Sequence, residues 1–240
     1  MVIKKQFLFV LSLFILFACN EDPKTAFTEI NITTDTNTLV EANIPSAVGG
    51  TLITNGINAE INTVVMAALQ VGDADSLTTK SIEESINLFN DEYKAFNKDF
   101  PDSTLPWEAQ IDGEILYESP KIITVAITSY VNTGGAHGNT KITFLNFDAQ
   151  TGKRLRNTEL LKDVEGFNKI AKAYLKDALK EEEVLFDADS FQLPENIGYT
   201  MEGLVLLYNT YEIASYATGL IEFTIPYEKA NNYLVFNSSK

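Results

Sequence analysis

The only histidine of this 240-residue chain, His137, lies in a glycine-rich stretch, Asn132 to Asn139, reading NTGGAHGN. Imidazole is the side chain whose ordinary pKa sits near neutrality, so acid–base work is the first chemistry to consider. That work needs a carboxylate partner, for which Glu212 and Asp148 are candidates, and a nucleophile such as Ser129, Thr133 or a water. Spacing fixes none of these. The plainer role is a histidine that shapes the glycine loop through hydrogen bonds or faces a ligand passively. Farther along, Tyr208, Tyr211, Glu212 and Tyr216 fall within one short stretch. Aromatic faces beside a carboxylate suit stacking on sugars or gripping a cationic protein, whereas tyrosines at strand ends also serve as core pieces with a tied hydroxyl. The candidate ligand-binding set is therefore Gly134, Gly135, His137, Asn139, Tyr208, Tyr211, Glu212 and Tyr216, with no residue assigned a catalytic role.

Other chemistries find little support. A zinc site is not expected from one histidine and one cysteine, and Asp187-Ala188-Asp189 lacks the turn glycine and closing glutamate of a calcium loop. Gly134-Gly135 has no lysine in phosphate-loop spacing. No cofactor and no metal are expected. The formal charge of −15 repels phosphate, which argues against nucleic acid and for cationic partners.

Residues 1–19 read as an export leader: Lys4 and Lys5, then an apolar run from Phe7 to Phe17 broken only by Ser12. The run is shorter than the roughly 20 residues of a spanning helix. Its end, Leu16-Phe17-Ala18-Cys19, resembles a bacterial lipobox, in which the cysteine takes a lipid and becomes the N-terminus. Removing the leader removes two lysines and no acid, deepening the negative charge. Cys19 is also the only cysteine, so the exported chain must hold its core without disulfides. Residues 20–26 then read as a short tether. The expected address is the bacterial cell envelope, with a lipid on Cys19 anchoring the chain to the outer membrane, periplasmic or surface-facing.

The elements that position the candidate residues follow from periodicity. Phe27, Ile30 and Ile32 predict a first strand and Leu39 to Ile44 a second, ending before Pro45. A helix is predicted over 57–71, and another from the Ser81 cap, with Ile82, Ile86, Phe89, Tyr93, Phe96 and Phe100 on one face and Pro101 as its stop. From Trp107 to Phe147 the period is two, which predicts an antiparallel meander with turns at Asp112-Gly113, Ser119-Pro120 and the glycine loop. A helix over 164–182, strands over 197–207 and 220–225, and a short helix from Pro226 complete the chain. The fold class is α+β, an antiparallel sheet with amphipathic helices packed on one face. The division expected is an N-terminal module over 27–105 and a C-terminal domain over 106–240.

TSYVNTGGAHGNTKITFLNFDAQTGKRL together with GLVLLYNTYEIASYATGLIEFTIPYEKANNYL resembles the extracellular domain of unknown function in RsiV-type anti-sigma factors and PdaC-type peptidoglycan deacetylases. There it commonly follows a second uncharacterised module, which residues 27 to about 100 resemble. Ser215 stands where that pattern has proline. The resemblance implies a cell-envelope binding or sensing module recognising a lysozyme-like cationic protein or a peptidoglycan glycan. It does not carry over the deacetylase domain or the cytoplasmic sigma-factor segment. The alternative is an enzyme that modifies an envelope glycan with His137 and Glu212 as its acid–base pair.

Overall fold

The computed structural model describes residues 25–49, 51–72, 76–102, 105–179, 185–187 and 190–237. The leader, Cys19, most of the tether, the charged tail of the 164–182 helix and two residues of the Asp187–Asp189 stretch lie outside the described residues. Among the described residues no helix is long and apolar enough to cross a membrane.

The architecture is α+β and is built on β4, Ile122–Thr133. Its first six residues, IITVAI, are buried on both faces, which is why they read as a continuous apolar run instead of an alternating one. Ile123, Val125 and Ile127 join the core under the first two helices, whereas Ile122 and Ala126 join clusters on the opposite face. β4 thus lies inside a six-stranded sheet ordered β1 to β6: β1 Ala26–Asn31, β2 Val40–Val48, β3 Trp107–Glu118, β4, β5 Asn139–Asp148 and β6 Arg154–Leu155.

One face of that sheet carries α1, Leu52–Leu69, and α2, Ile82–Asp99. Thr51 caps α1 through the Thr54 N–H at 3.2 Å, so the helix begins five residues before the predicted 57. Its sequence gives no acidic first turn to mark that start. Ser81 caps α2 as predicted, accepting from the Glu84 N–H at 3.1 Å. Ile82, Ile86 and Phe89 are buried, and the rings of Phe89, Tyr93 and Phe96 surround Trp107 with centroids 5.5, 5.8 and 5.6 Å away. Phe100, placed by periodicity on the same face, is 59% exposed because the helix stops beneath it.

The opposite face is covered by a second sheet, not by helices alone. It is antiparallel, ordered β7 Asn196–Tyr199, β8 Gly203–Tyr208 and β9 Ile221–Pro226. Val205 and Leu207 pack on Ala126 and Phe144, while Leu204, Leu206 and Tyr208 face the other way toward Phe167, Ala171 and Leu175 of α4, Val164–Ala178. The short helices α3, Asn157–Leu160, and α5, Tyr227–Ala230, flank this outer layer. Helix pair, sheet, sheet and helix therefore stack in that order, which corrects the expectation of helices on one sheet face.

Polar side chains satisfy the strand groups between the layers. The open edge of β5 offers its Phe144 N–H to Asn196 Oδ1 at 2.8 Å and its Ile142 N–H to Asn209 Oδ1 at 2.9 Å. Asn146 donates to the Ile197 carbonyl at 2.7 Å and accepts from Thr124 at 2.8 Å. Buried backbone groups left unpaired would each cost free energy, so these asparagines replace the neighbouring strand that β5 lacks there.

Four further expectations are corrected. β2 pairs with β3 in parallel, Val40 beside Ala109 through Asn43 beside Asp112, because α1 and α2 form a crossover between them. β2 also runs through Pro45, which pairs only toward β1, where its missing N–H is not needed by β3. Residues 197–207 are a hairpin turning at 200–202, not one strand. Finally, Asp112-Gly113 is not a hairpin: β3 passes straight through it. Gly113 is there because a Cβ would strike Pro45 and, at 2.9 Å, Ile127. Gly113→Ala is accordingly expected to lower the unfolding free energy by about 1–3 kcal/mol, read as an earlier urea midpoint with an unchanged slope.

Candidate functional site

The glycine stretch is the turn between β4 and β5, and each glycine has its own reason. Gly134 adopts φ +83°, with its amide held by Asn132 Oδ1 at 3.0 Å. Gly138 has no positive φ but sits against the Tyr130 ring, leaving no room for a Cβ. Gly135 has neither constraint: a Cβ there would make only ordinary contact. The turn therefore needs two of its three glycines.

The tyrosine segment is brought against this turn. The His137 and Tyr216 rings stack with centroids 3.8 Å apart and planes 17° from parallel. The Tyr216 hydroxyl donates to the Gly138 carbonyl at 2.9 Å, and His137 Nδ1 lies 3.1 Å from the same oxygen. Thr210 Oγ1 donates to Asn139 Oδ1 at 3.1 Å. Tyr211 extends the aromatic surface, its ring 5.8 Å from that of Tyr216 and the residue 58% exposed. His137 is exposed as well.

Tyr211 is the one non-glycine residue with positive φ among the described residues, at +68°. That conformation costs about 1–2 kcal/mol for an L side chain and persists only where neighbours impose it. Two neighbours do so here. Asn209 clamps both sides of the Ile142 peptide, accepting from its N–H and donating to its carbonyl at 2.9 Å each. Glu212 then folds back, one carboxylate oxygen accepting from the Asn209 N–H at 2.8 Å and the other from the Glu195 N–H at 2.7 Å. Burial pushes the Glu212 carboxyl above the ordinary carboxylate value, and the charge of Glu195 adds to this. The two N–H groups and Lys141 oppose the shift without cancelling it.

A cleft of about 300 Å³ opens beside Tyr211, lined by Asn139, Lys141, Glu195, Thr210 and Glu212 among others. Lys141 and Glu195 put opposite charges on its walls. Sequence reasoning missed both, because nothing local marks residues that only the tertiary fold brings together. Asn209 was also missed, although an asparagine just before Thr-Tyr-Glu carries the signature of a side chain that bonds local backbone.

The other expected residues are placed less centrally. Tyr208 is 1% exposed, with its hydroxyl donating to the Gln192 carbonyl at 2.7 Å, and burial raises its phenol pKa. It lines a second pocket of about 130 Å³ with Leu175, Phe191 and Ile213, which meets the first cleft at Glu212 and not on the histidine side. His137 and Glu212 share no hydrogen bond among the described residues, each being engaged with other groups. Ser129 donates to the Lys141 carbonyl and Asp148 closes the 148–151 turn, so neither is turned toward the imidazole. Ser215 has φ −67°, the value proline would impose, so its serine leaves the backbone path of the segment unchanged. No three His, Cys, Asp or Glu side chains among the described residues could together hold a metal.

Two family models match the chain. Residues 32–140 match the model described as deacetylase PdaC, and residues 156–228 match the model for a protein of unknown function, DUF3298. The glycine turn lies in the first segment and the tyrosine segment in the second, so the aromatic surface is shared between them. A crystal structure of a DUF3298 family protein from Pseudomonas aeruginosa is similar at 22% identity and TM-score 0.58, covering 90% of this chain and 96% of its own. A DUF3298 family member from Bacteroides fragilis is similar at 18% identity and TM-score 0.64, covering 89% and 96%. At these identities the likeness is one of fold. No curated protein matches the chain.

Because Glu212 has its carboxyl raised in the folded state, the folded chain binds a proton there more readily than the unfolded chain. Its contribution to stability is thus present below the ordinary carboxylate value and is lost as pH rises through the raised folded value. Urea midpoints measured from acid to neutral pH should fall more steeply for the wild type than for Glu212→Gln. Parallel pH profiles would show that the shift is absent.

Proposed function

We propose, from the PdaC/RsiV-type two-module architecture that this chain has, that it is a lipid-anchored cell-envelope protein that binds a glycan of the cell wall without chemical change. The single observation behind this reading is the solvent-facing surface of His137, Tyr216 and Tyr211 beside a polar cleft. Sugar rings present C–H faces that stack on aromatic planes, and their hydroxyls and acetamido groups match Asn139, Thr210 and the charged walls. The strained Tyr211 supports the same view. A fold holds an exposed aromatic in a costly conformation where its orientation matters.

A second reading, a lysozyme-like cationic protein as partner, is favoured by the net charge of −15 and by Glu195 in the cleft. It differs in salt dependence, since attraction between a cationic protein and an acidic surface is screened over roughly 8 Å at physiological ionic strength, whereas stacking on a sugar is not. The enzyme alternative is less well supported, because Glu212 spends both carboxylate oxygens on backbone amides and His137 is stacked on Tyr216.

Calorimetric titration of the mature chain against soluble peptidoglycan fragments is the direct test, with hen-type lysozyme as the comparison. Binding should be detectable at micromolar concentrations and should survive added salt. Tyr211→Asn keeps a residue that tolerates positive φ, so it should leave thermal unfolding unchanged or slightly higher while weakening glycan binding by about tenfold, near 1.4 kcal/mol. Salt-sensitive binding to lysozyme alone would favour the second reading, and silence toward both ligands would remove the proposal.

A further inference from the structure

The folded body has two ends, and the N-terminal approach of the chain falls at the end opposite the aromatic surface. β3 starts at Trp107 opposite Thr133, next to the glycine turn, and finishes at Glu118 opposite Ile123. β2 runs parallel to it, so Val48 at the close of β2 lies at the far end, and Ala26 is paired with Val48. The 12 residues of β4 between the two ends span roughly 40 Å at the rise of a strand.

That far end exposes apolar side chains. Leu52 is 89% and Val48 41% exposed, and Ala26 beside Val48 is exposed too. Thr51 supplies the helix cap, so α1 itself makes no demand for leucine at the next position. The 149–152 turn reaches the same place, with Gly152 packed against Ile53. The cations that follow it are Lys153, Arg154 and Arg156. They pair with Glu159 and Glu60 at 2.8 to 3.2 Å, three cations to two carboxylates, so this patch does not add to the negative charge that an anionic bilayer would repel.

We infer that this is the lipid-facing end: Leu52 and Val48 enter the interfacial layer of the bilayer that holds the lipid on Cys19, and the glycine turn with its tyrosines points away from it. The inference rests on the reading of Cys19 as lipidated. Ala26 comes seven positions after Cys19, a reach of at most about 25 Å, so an anchored chain keeps this end close to the headgroups. Apolar side chains held at that boundary partition into the outer few ångströms of the acyl region.

Lipidation leaves no native free thiol, because Cys19 is the only cysteine, so single-cysteine variants can be spin-labelled without background. Leu52→Cys, Val48→Cys and Ala136→Cys alter exposed or half-exposed positions, the last on the glycine turn. Each full mature chain would be reconstituted into vesicles of phosphatidylethanolamine and phosphatidylglycerol and checked by mass for the lipid on Cys19. Collision rates with lipid-dissolved oxygen and with an aqueous nickel complex then report depth. The expected oxygen-to-nickel ratio is several-fold higher at positions 52 and 48 than at 136. Equal ratios on a chain that carries the lipid would overturn the inference and leave the anchor standing, as would a reversed order. A chain whose mass shows no lipid would overturn the anchor, and the inference with it.

Discussion

The burial of Ile122 to Ile127 on both faces is the constraint on which the rest of the molecule depends. A strand with alternating polarity could cover one layer; this one must cover two. Its odd-numbered side chains seat the α1–α2 pair, and its even-numbered ones, with Phe144, seat the second sheet. Once β4 is fixed between layers, its hairpin partner β5 has an edge that β6 covers only at Asn146 and Phe147, leaving the stretch before them to the outer layer. Asn196 and Asn209 close that edge with side chains in place of a strand. The same two contacts hold the tyrosine segment at the tip of the β4–β5 hairpin. Core packing and site assembly are therefore one event, which is why a surface divided between two separately matched segments can still be rigid.

Within that surface, the order of dependence runs from Asn209 to Glu212 to Tyr211. The asparagine is tied to the Ile142 peptide, the glutamate folds back on the asparagine, and the tyrosine between them has no dihedral choice left. His137 and Tyr216 are set from the other side, both directed at the Gly138 carbonyl. The three rings are thus placed by polar groups around them as well as by their own contacts. Such placement lets a ligand displace water from the ring faces without the protein having to reorganise, which lowers the cost of ordering on binding.

Much of the fold was legible because its signals are local. The α2 stripe and its Ser81 cap, the period-two runs of β3 to β5 and the helix over 164–178 depend only on residues near in sequence. What was not legible depends on distant partners. The Asp112-Gly113 pair has the composition of a hairpin, yet the glycine serves the passage of Pro45 across β3. The parallel β2–β3 pairing follows from two helices acting as a crossover, which strand periodicity does not register. In the site, His137, Asn139, Tyr211, Glu212 and Tyr216 do converge, whereas Tyr208 alternates inward to the core of the outer sheet. Lys141 and Glu195 acquire their meaning only when the cleft forms.

The central claim is that the His137–Tyr216 stack and Tyr211 form a face that a glycan covers. The chain contains one histidine, so the imidazole C–H resonances in a proton NMR spectrum report on that face without assignment. Titrating muropeptides into the mature protein should shift these resonances progressively and saturably, since a sugar ring laid on the stack changes the ring-current field at His137. Saturating muropeptide with the imidazole resonances unmoved, while other signals shift, would place the ligand elsewhere and contradict the account.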